Sequence, residues 1–61
     1  MYVLKEVGSG KYAACLEGGH YVLLDSPDDF GVMRFQSRAE AEYAMVAFTA
    51  ATEHQMVVVP I

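Results

Sequence analysis

The chain has 61 residues and a formal net charge of −4, with eight acidic and four basic side chains. A chain of this length forms at most one domain, and it buries only roughly 60% of the surface that it exposes when unfolded. No Lys or Arg follows Arg38, so a basic footprint for a phosphate backbone is missing and direct nucleic-acid binding is disfavoured. An acidic surface suits solubility, or binding to a basic site on another protein.

The single cysteine, Cys15, rules out an internal disulfide and favours a reducing compartment. No secretory signal and no apolar run of roughly 20 residues is visible, so we expect a cytoplasmic protein without a membrane partner. Because Met1 leads directly into a strand-like segment, we also expect a complete small gene product. With 54% hydrophobic residues and no cross-link, the chain must pack well as a monomer or gain stability as a homo-oligomer; we expect the oligomer, most simply a dimer.

The first half of the chain predicts three short antiparallel strands, over residues 2–7, 11–17 and 20–24. The first and third are rich in β-branched and aromatic residues, whereas two alanines weaken the second. Gly8-Ser9-Gly10 supplies the first turn. Gly18-Gly19 supplies the second, since both glycines can adopt positive φ.

Residues 25–31 interrupt the strand pattern. Ser26 as an N-cap, Pro27 at the first position and the acidic Asp28 and Asp29 predict a single helical turn that ends at Gly31. The three aspartates of this segment also offer oxygen ligands for a hard cation, but they lack the ligand number and spacing of a calcium loop. Residues 32–35 then read as a short extended piece.

The stretch from residue 37 to about residue 53 predicts the only long helix. It begins with Ser37 and Glu40 in a capping box, and an alanine-rich run without Gly or Pro follows. Residues 56–61 predict a last strand, in which three consecutive valines indicate burial on both faces and an interior place in the sheet. The fold class that follows is α+β: one domain over residues 1–61, with an antiparallel sheet of about four strands (β-β-β-α-β) covered on one face by a single helix.

At 100° per residue, this helix has two apolar faces. The predicted core face carries the large side chains Met45 and Phe48; its members are Ala41, Ala44, Met45, Phe48, Ala51 and Thr52. The opposite face is also apolar, with Ala39, Tyr43, Val46, Ala47 and Ala50. Arg38, Glu42, Thr49 and Glu53 lie on one flank and Glu40 lies on the other.

Two interpretations of the second face remain open. Alanine is the best helix former, so the face can be merely neutral. Alternatively, Tyr43, Val46, Ala47 and Ala50 form a flat apolar patch that another protein contacts. In that interpretation Asp28, Asp29, Glu40 and Glu42 supply charged contacts around it.

Catalytic and cofactor motifs are weak throughout. Gly8-Ser9-Gly10-Lys11 lacks the remainder of a phosphate-binding loop and lies between two strands, so a hairpin turn is favoured. Cys15 and His20 could touch across the Gly-Gly turn, but no third group orients them, and with His54 they are too few and too poorly spaced for zinc. We therefore expect no enzyme, no metal site and no cofactor.

Three segments resemble a type of small open reading frame found in phages and prophages. They are Tyr2-Val3-Leu4-Lys5, then Phe35-Gln36-Ser37-Arg38-Ala39-Glu40-Ala41, and finally Val57-Val58-Val59-Pro60. Compact acidic phage proteins of this type, the anti-CRISPR proteins among them, frequently bind and block a host enzyme. The resemblance carries over no individual functional residue.

The sequence thus favours a non-enzymatic protein-binding module. The resemblance implies a phage-encoded inhibitor that blocks a host protein or complex sterically and electrostatically in the host cytoplasm. The alternative is a homo-oligomeric structural or regulatory subunit with no inhibitory role.

Overall fold

A computed structural model describes all 61 residues. It contains four strands and one helix, in the order β1 (Tyr2–Glu6), β2 (Tyr12–Leu16), β3 (His20–Leu24), α1 (Arg38–Thr52) and β4 (Met56–Pro60). Every neighbouring pair of strands is antiparallel. The predicted α+β class and β-β-β-α-β order are therefore confirmed, and the predicted element ends differ from the observed ones by at most one residue. The chain has no helix of the length and apolarity that a bilayer span requires.

The last strand lies at an edge of the sheet, and the predicted interior position is wrong. The strand order is β3-β2-β1-β4, so β4 pairs only with β1, from Tyr2 opposite Pro60 to Glu6 opposite Met56. Val58 and Val59 are half-buried, while Val57 is 44% exposed. Three valines in a row do not require an interior strand, because apolar clusters on both faces of the sheet shield an edge strand in part.

The β1–β2 hairpin is split along most of its length. The two strands share a single register pair, Lys5 opposite Tyr12. Beyond it, the segment that follows Gly31 enters the gap: Val32 bridges Ala14 of β2, and Phe35 bridges Tyr2 of β1. Backbone hydrogen bonds of 2.8 to 3.1 Å join this segment to both strands. The extended piece predicted over residues 32–35 thus acts as a wedge that satisfies the backbone groups of a splayed hairpin.

Apolar clusters form on both faces of the sheet. On the helix side, Leu4, Ala13, Ala41, Phe48 and Met56 are buried together. On the opposite side, Val3 and Ala14 pack against Val32 of the wedge. Because successive strand residues point to opposite faces, adjacent residues of β1 and β2 serve different clusters. The helix therefore covers one face, as predicted, and the segment before it covers part of the other.

The helix buries the side that its periodicity predicts, with one exception. Ser37 accepts a hydrogen bond from the backbone N–H of Glu40, as the capping box requires. Ala41 and Phe48 are buried, and the Phe48 ring lies 5.0 Å from that of Tyr21. Ala51, which was placed on the core face, is exposed because it lies at the margin of this face near the end of the helix.

Residues 25–31 form hydrogen-bonded turns, and the predicted helical turn is absent. The N–H of Asp29 donates to the carbonyl of Ser26, and the N–H of Val32 donates to the carbonyl of Asp29. Ser26 still caps locally, since its hydroxyl accepts from the N–H of Asp28. Gly31 adopts φ +101°, which turns the chain into the wedge before a helix can propagate.

The helix ends on a left-handed residue that is not glycine. Glu53 has φ +64°, and its N–H donates to the carbonyl of Thr49. A side chain in this conformation costs roughly 1–2 kcal/mol, because Cβ crowds the following carbonyl oxygen. The chain thus turns from α1 into β4 through a strained residue, at a position where helices that end in the left-handed conformation usually have Gly and sometimes Asn.

We predict that Glu53→Gly raises the free energy of unfolding by about 0.5–1 kcal/mol, the relief of strain less the extra entropy of an unfolded glycine. Urea denaturation followed by circular dichroism measures the change. Glu53→Ala is the matched control, because it removes the carboxylate and keeps Cβ. If both variants stabilised the protein equally, the effect would come from the loss of the carboxylate, and the proposed backbone strain at Glu53 would be refuted.

Candidate functional site

The eight predicted contact residues all lie on the surface, in two groups. Tyr43 is 83% exposed and Val46 is 67% exposed, and the small residues Ala47 and Ala50 are exposed beside them. Glu40 and Glu42 lie on the same helix, whereas Asp28 and Asp29 lie on the loop after β3. No hydrogen bond or ion pair connects the loop with the helix. The chain therefore offers two surfaces, and a contact with either remains a prediction.

The loop carries a side chain that the sequence reasoning missed. Phe30 is 100% exposed, although it is among the largest apolar residues of the chain. It stands between Asp29 and Gly31, where no strand or helix periodicity assigns it to a core. An aromatic residue inside a turn-forming segment was the available signal.

Hydrogen bonds constrain the backbone of residues 25–31, which we call the Phe30 loop. The carboxylate of Asp29 accepts from the N–H of Ser26, and the guanidinium of Arg34 donates to the carbonyl of Pro27 at 2.7 Å. The side chain of Leu16 lies 3.0 Å from the position that a Cβ on Gly31 would occupy, so the loop is seated closely on the end of β2. Phe30 is therefore presented by an ordered turn, beside the unpaired carboxylate of Asp28.

A single groove of about 560 Å³ lies between the helix and the start of β4. Six of its eight lining residues are hydrophobic, so it suits an apolar ligand or side chain. The helix contributes Met45, Val46, Thr49 and Ala50, and the strand side contributes Val7, Gln55, Met56 and Val57. The groove thus joins the exposed helix face to the sheet edge, a connection that sequence periodicity cannot show.

The outer edge of β4 carries unpaired backbone groups. Val7 donates to the carbonyl of Gln55, and Ile61 donates to the carbonyl of Met1, so the odd-numbered residues of β4 bond to β1. Met56, Val58 and Pro60 therefore direct their backbone groups away from the sheet. Pro60 has no N–H to expose there, which fits the preference of proline for sheet edges.

A polar contact joins His54 and Glu6, the chain neighbours of the groove residues Gln55 and Val7. Nδ1 of His54 lies 2.6 Å from Oε2 of Glu6, and the hydroxyl of Ser9 donates to the same carboxylate. The Ser9 hydrogen bond is the main cause that lowers the pKa of Glu6 from 4.5; partial burial opposes it, and His54 adds to it by charge and hydrogen bonding. This contact ties the connection between α1 and β4 to the end of β1.

The residues considered for catalysis do not converge. Cys15 pairs with Tyr21 and His20 pairs with Leu16, so the thiol and the imidazole lie on opposite faces of the β2–β3 ladder. The Cys15–His20 contact that we considered is therefore not formed. No three His, Cys, Asp or Glu side chains are grouped so that they could hold a metal ion.

Comparison of the chain with known protein families, with curated proteins and with solved structures finds no match.

We predict that Glu6→Gln lowers stability near neutral pH and that the loss disappears in acid. Because the pKa of Glu6 is lowered in the folded protein, the unfolded state binds more protons below about pH 4.5, and the contribution of the carboxylate is lost as pH falls. Urea midpoints of the wild type and the variant at about pH 6 and about pH 3 test this expectation.

Glu17→Gln is the control for that experiment, since it removes an exposed carboxylate that makes no hydrogen bond or ion pair. A wild-type advantage over Glu6→Gln that stays constant between the two pH values would contradict the assigned role of the carboxylate.

Proposed function

We propose that this protein is a non-enzymatic binding module that attaches to another protein through the Phe30 loop. The observation that supports the proposal is the full exposure of Phe30 on a hydrogen-bonded turn. Exposed aromatic side chains are costly to leave in water and are enriched at binding hot spots. Because hydrogen bonds already constrain the backbone of the turn, docking orders mainly the Phe30 side chain itself.

The chemistry of the loop defines the complementary site. Asp28 and Asp29 directly precede Phe30 in the chain, and the whole chain is acidic. The matching surface is an apolar pocket for one aromatic ring, with lysine or arginine side chains at its rim. Opposite charges accelerate the encounter, and the buried ring supplies most of the affinity.

Blocking of a host protein is the biological role that we propose for this contact. A basic rim around a pocket is common where enzymes handle nucleic acids, and an acidic protein can occupy such a site sterically. The resemblance to small acidic phage proteins, including anti-CRISPR inhibitors, supports this part of the proposal. The lone Cys15 supports the cytoplasm as the place where the module acts.

A second candidate function is homo-oligomeric assembly. The unpaired edge of β4 and the apolar groove beside it favour this candidate, and neither feature involves the Phe30 loop.

We predict that Phe30→Ala weakens partner binding by about 30-fold or more, the loss expected for a hot-spot side chain. The wild type and the variant are each immobilised, and the proteins that they capture from a host lysate are compared. The affinity of both forms for each captured protein is then measured. Asp28→Asn should lower the association rate and its dependence on salt, because this charge acts over distance. Capture that is equal for wild type and Phe30→Ala would refute the proposal.

Ile61→Ala is the matched control for Phe30→Ala. Ile61 is a large apolar residue, 54% exposed, that follows β4 and is not part of the loop. Truncation of Ile61 should leave capture unchanged. If both variants lost partner binding equally, the wild type would bind by nonspecific hydrophobic association and not through a defined contact at Phe30.

A further inference from the structure

We propose that a second copy of this chain docks on the β4 edge and the adjoining groove, as a twofold-symmetric dimer. The two β4 strands pair in antiparallel fashion, and the two α1 helices lie side by side over the extended sheet. This inference deepens the second candidate function and is independent of the Phe30 loop. The dimer rests on four features of the molecule: the backbone groups of the edge, the position of the helix, the charges at its ends and the exposed area.

The backbone of β4 is suited to pairing with itself. Met56 and Val58 direct N–H groups outward, and Met56, Val58 and Pro60 direct carbonyls outward. A twofold axis at Val58 places the two Val58 residues opposite each other, where they exchange two hydrogen bonds. The N–H of each Met56 then meets the carbonyl of Pro60 in the partner subunit. All four outward N–H groups are satisfied, and the missing N–H of Pro60 removes no donor that this register requires.

The same axis passes close to the middle of α1. Only three residues, 53–55, separate the helix from β4, so the two elements lie next to each other and run in opposite directions. Val58 lies about 7 Å along β4 from Met56, in the direction of the helix N-terminus, and this distance corresponds to about five residues of α1. This displacement leads from the end of α1 toward Val46, which is 67% exposed and lines the groove. The two copies of Val46 then meet at the axis, and each helix closes the groove of the other.

The charges on the groove side of α1 are complementary under this symmetry. Arg38 is the first residue of α1 and Glu53 is its C-cap, so the two residues stand at opposite ends of the helix. Antiparallel helices therefore place Arg38 next to Glu53 of the partner subunit, and the symmetry produces this pair twice. The remaining acidic residue of the flank, Glu42, faces the uncharged Thr49 of the partner subunit. No like charges are brought together along the seam, although each chain carries a net charge of −4.

The area and the composition of this surface also favour a second copy. The chain exposes 3958 Å², and a standard interface of about 800 Å² per partner covers about a fifth of it. Only eight residues are buried in the isolated chain, so its core is small and burial of further apolar surface stabilises the fold. Four large apolar residues are exposed on or beside this surface: Val7, Tyr43, Val46 and Val57. The strand has no charged side chain from Met56 to Pro60 that would deter edge-to-edge pairing.

Sedimentation equilibrium and light scattering test the dimer directly. At about 100 μM the wild type should have twice the monomer mass of 6.7 kDa, and dilution should dissociate it. Val46→Glu places two like charges at the axis and should raise the dissociation constant at least tenfold. Because Val46 is exposed in the monomer, the circular dichroism spectrum should not change. A wild type that stays at 6.7 kDa at this concentration would overturn the proposal and the second candidate function together.

Two sets of variants test whether the dimer uses this interface or a different one. Ala51→Glu adds the same charge to the same helix at an exposed position away from the groove, and it should remain dimeric. Arg38→Glu and Glu53→Arg should each weaken the dimer about tenfold, and the double variant should restore it. A dimer that tolerates Val46→Glu, or a double variant no tighter than the singles, would overturn this interface and leave the second candidate function standing. Phe30→Ala should remain dimeric, since the loop takes no part.

Discussion

The pairing of β1 with β4 is the interaction on which the rest of the structure depends. Five consecutive register pairs connect these strands, compared with one between β1 and β2. This ladder brings the two ends of the chain together and holds α1 against the sheet, because the helix leads into β4 through only three residues. Leu4 of β1 and Met56 of β4 then form the floor on which Phe48 packs. Loss of this ladder would leave the helix without a surface to cover.

The split between β1 and β2 explains how so short a chain places an apolar cluster on each face of its sheet. A regular hairpin would satisfy its own backbone and leave the face opposite the helix in water. Here the strands diverge beyond the Lys5–Tyr12 pair, on the side away from the turn, and the wedge (residues 32–35) together with Gly31 bonds to both of them. Val32 is thereby buried against Val3 and Ala14. Phe30 lies in the turn that leads into this segment, and its side chain is fully exposed.

The two surfaces that remain exposed differ in chemistry. The Phe30 loop combines one aromatic ring with unpaired negative charge, and it is distant in sequence from the groove. The groove combines aliphatic side chains with the unpaired backbone of β4, and its flank holds charges of both signs. Such a division allows one chain to assemble with itself through one surface and to contact a different protein through the other. A dimer would then present two Phe30 loops, and a partner with two sites would bind it with increased avidity.

The local chemistry of the sequence was enough to predict the five elements, their order and the fold class. Gly18-Gly19 specified a turn by positive φ, the capping box specified the start of α1, and periodicity selected Ala41 and Phe48 for the core. These features involve residues within a few positions of each other. The strand order, the wedge, the groove and the exposure of Phe30 depend on contacts between residues far apart in the chain. The three consecutive valines of β4 predict an interior strand, but an edge strand between two apolar clusters can have the same local hydrophobicity. The sequence pattern therefore does not distinguish the two positions in the sheet. Only the tertiary structure distinguishes these cases, since it decides which backbone groups of β4 are paired and which remain free.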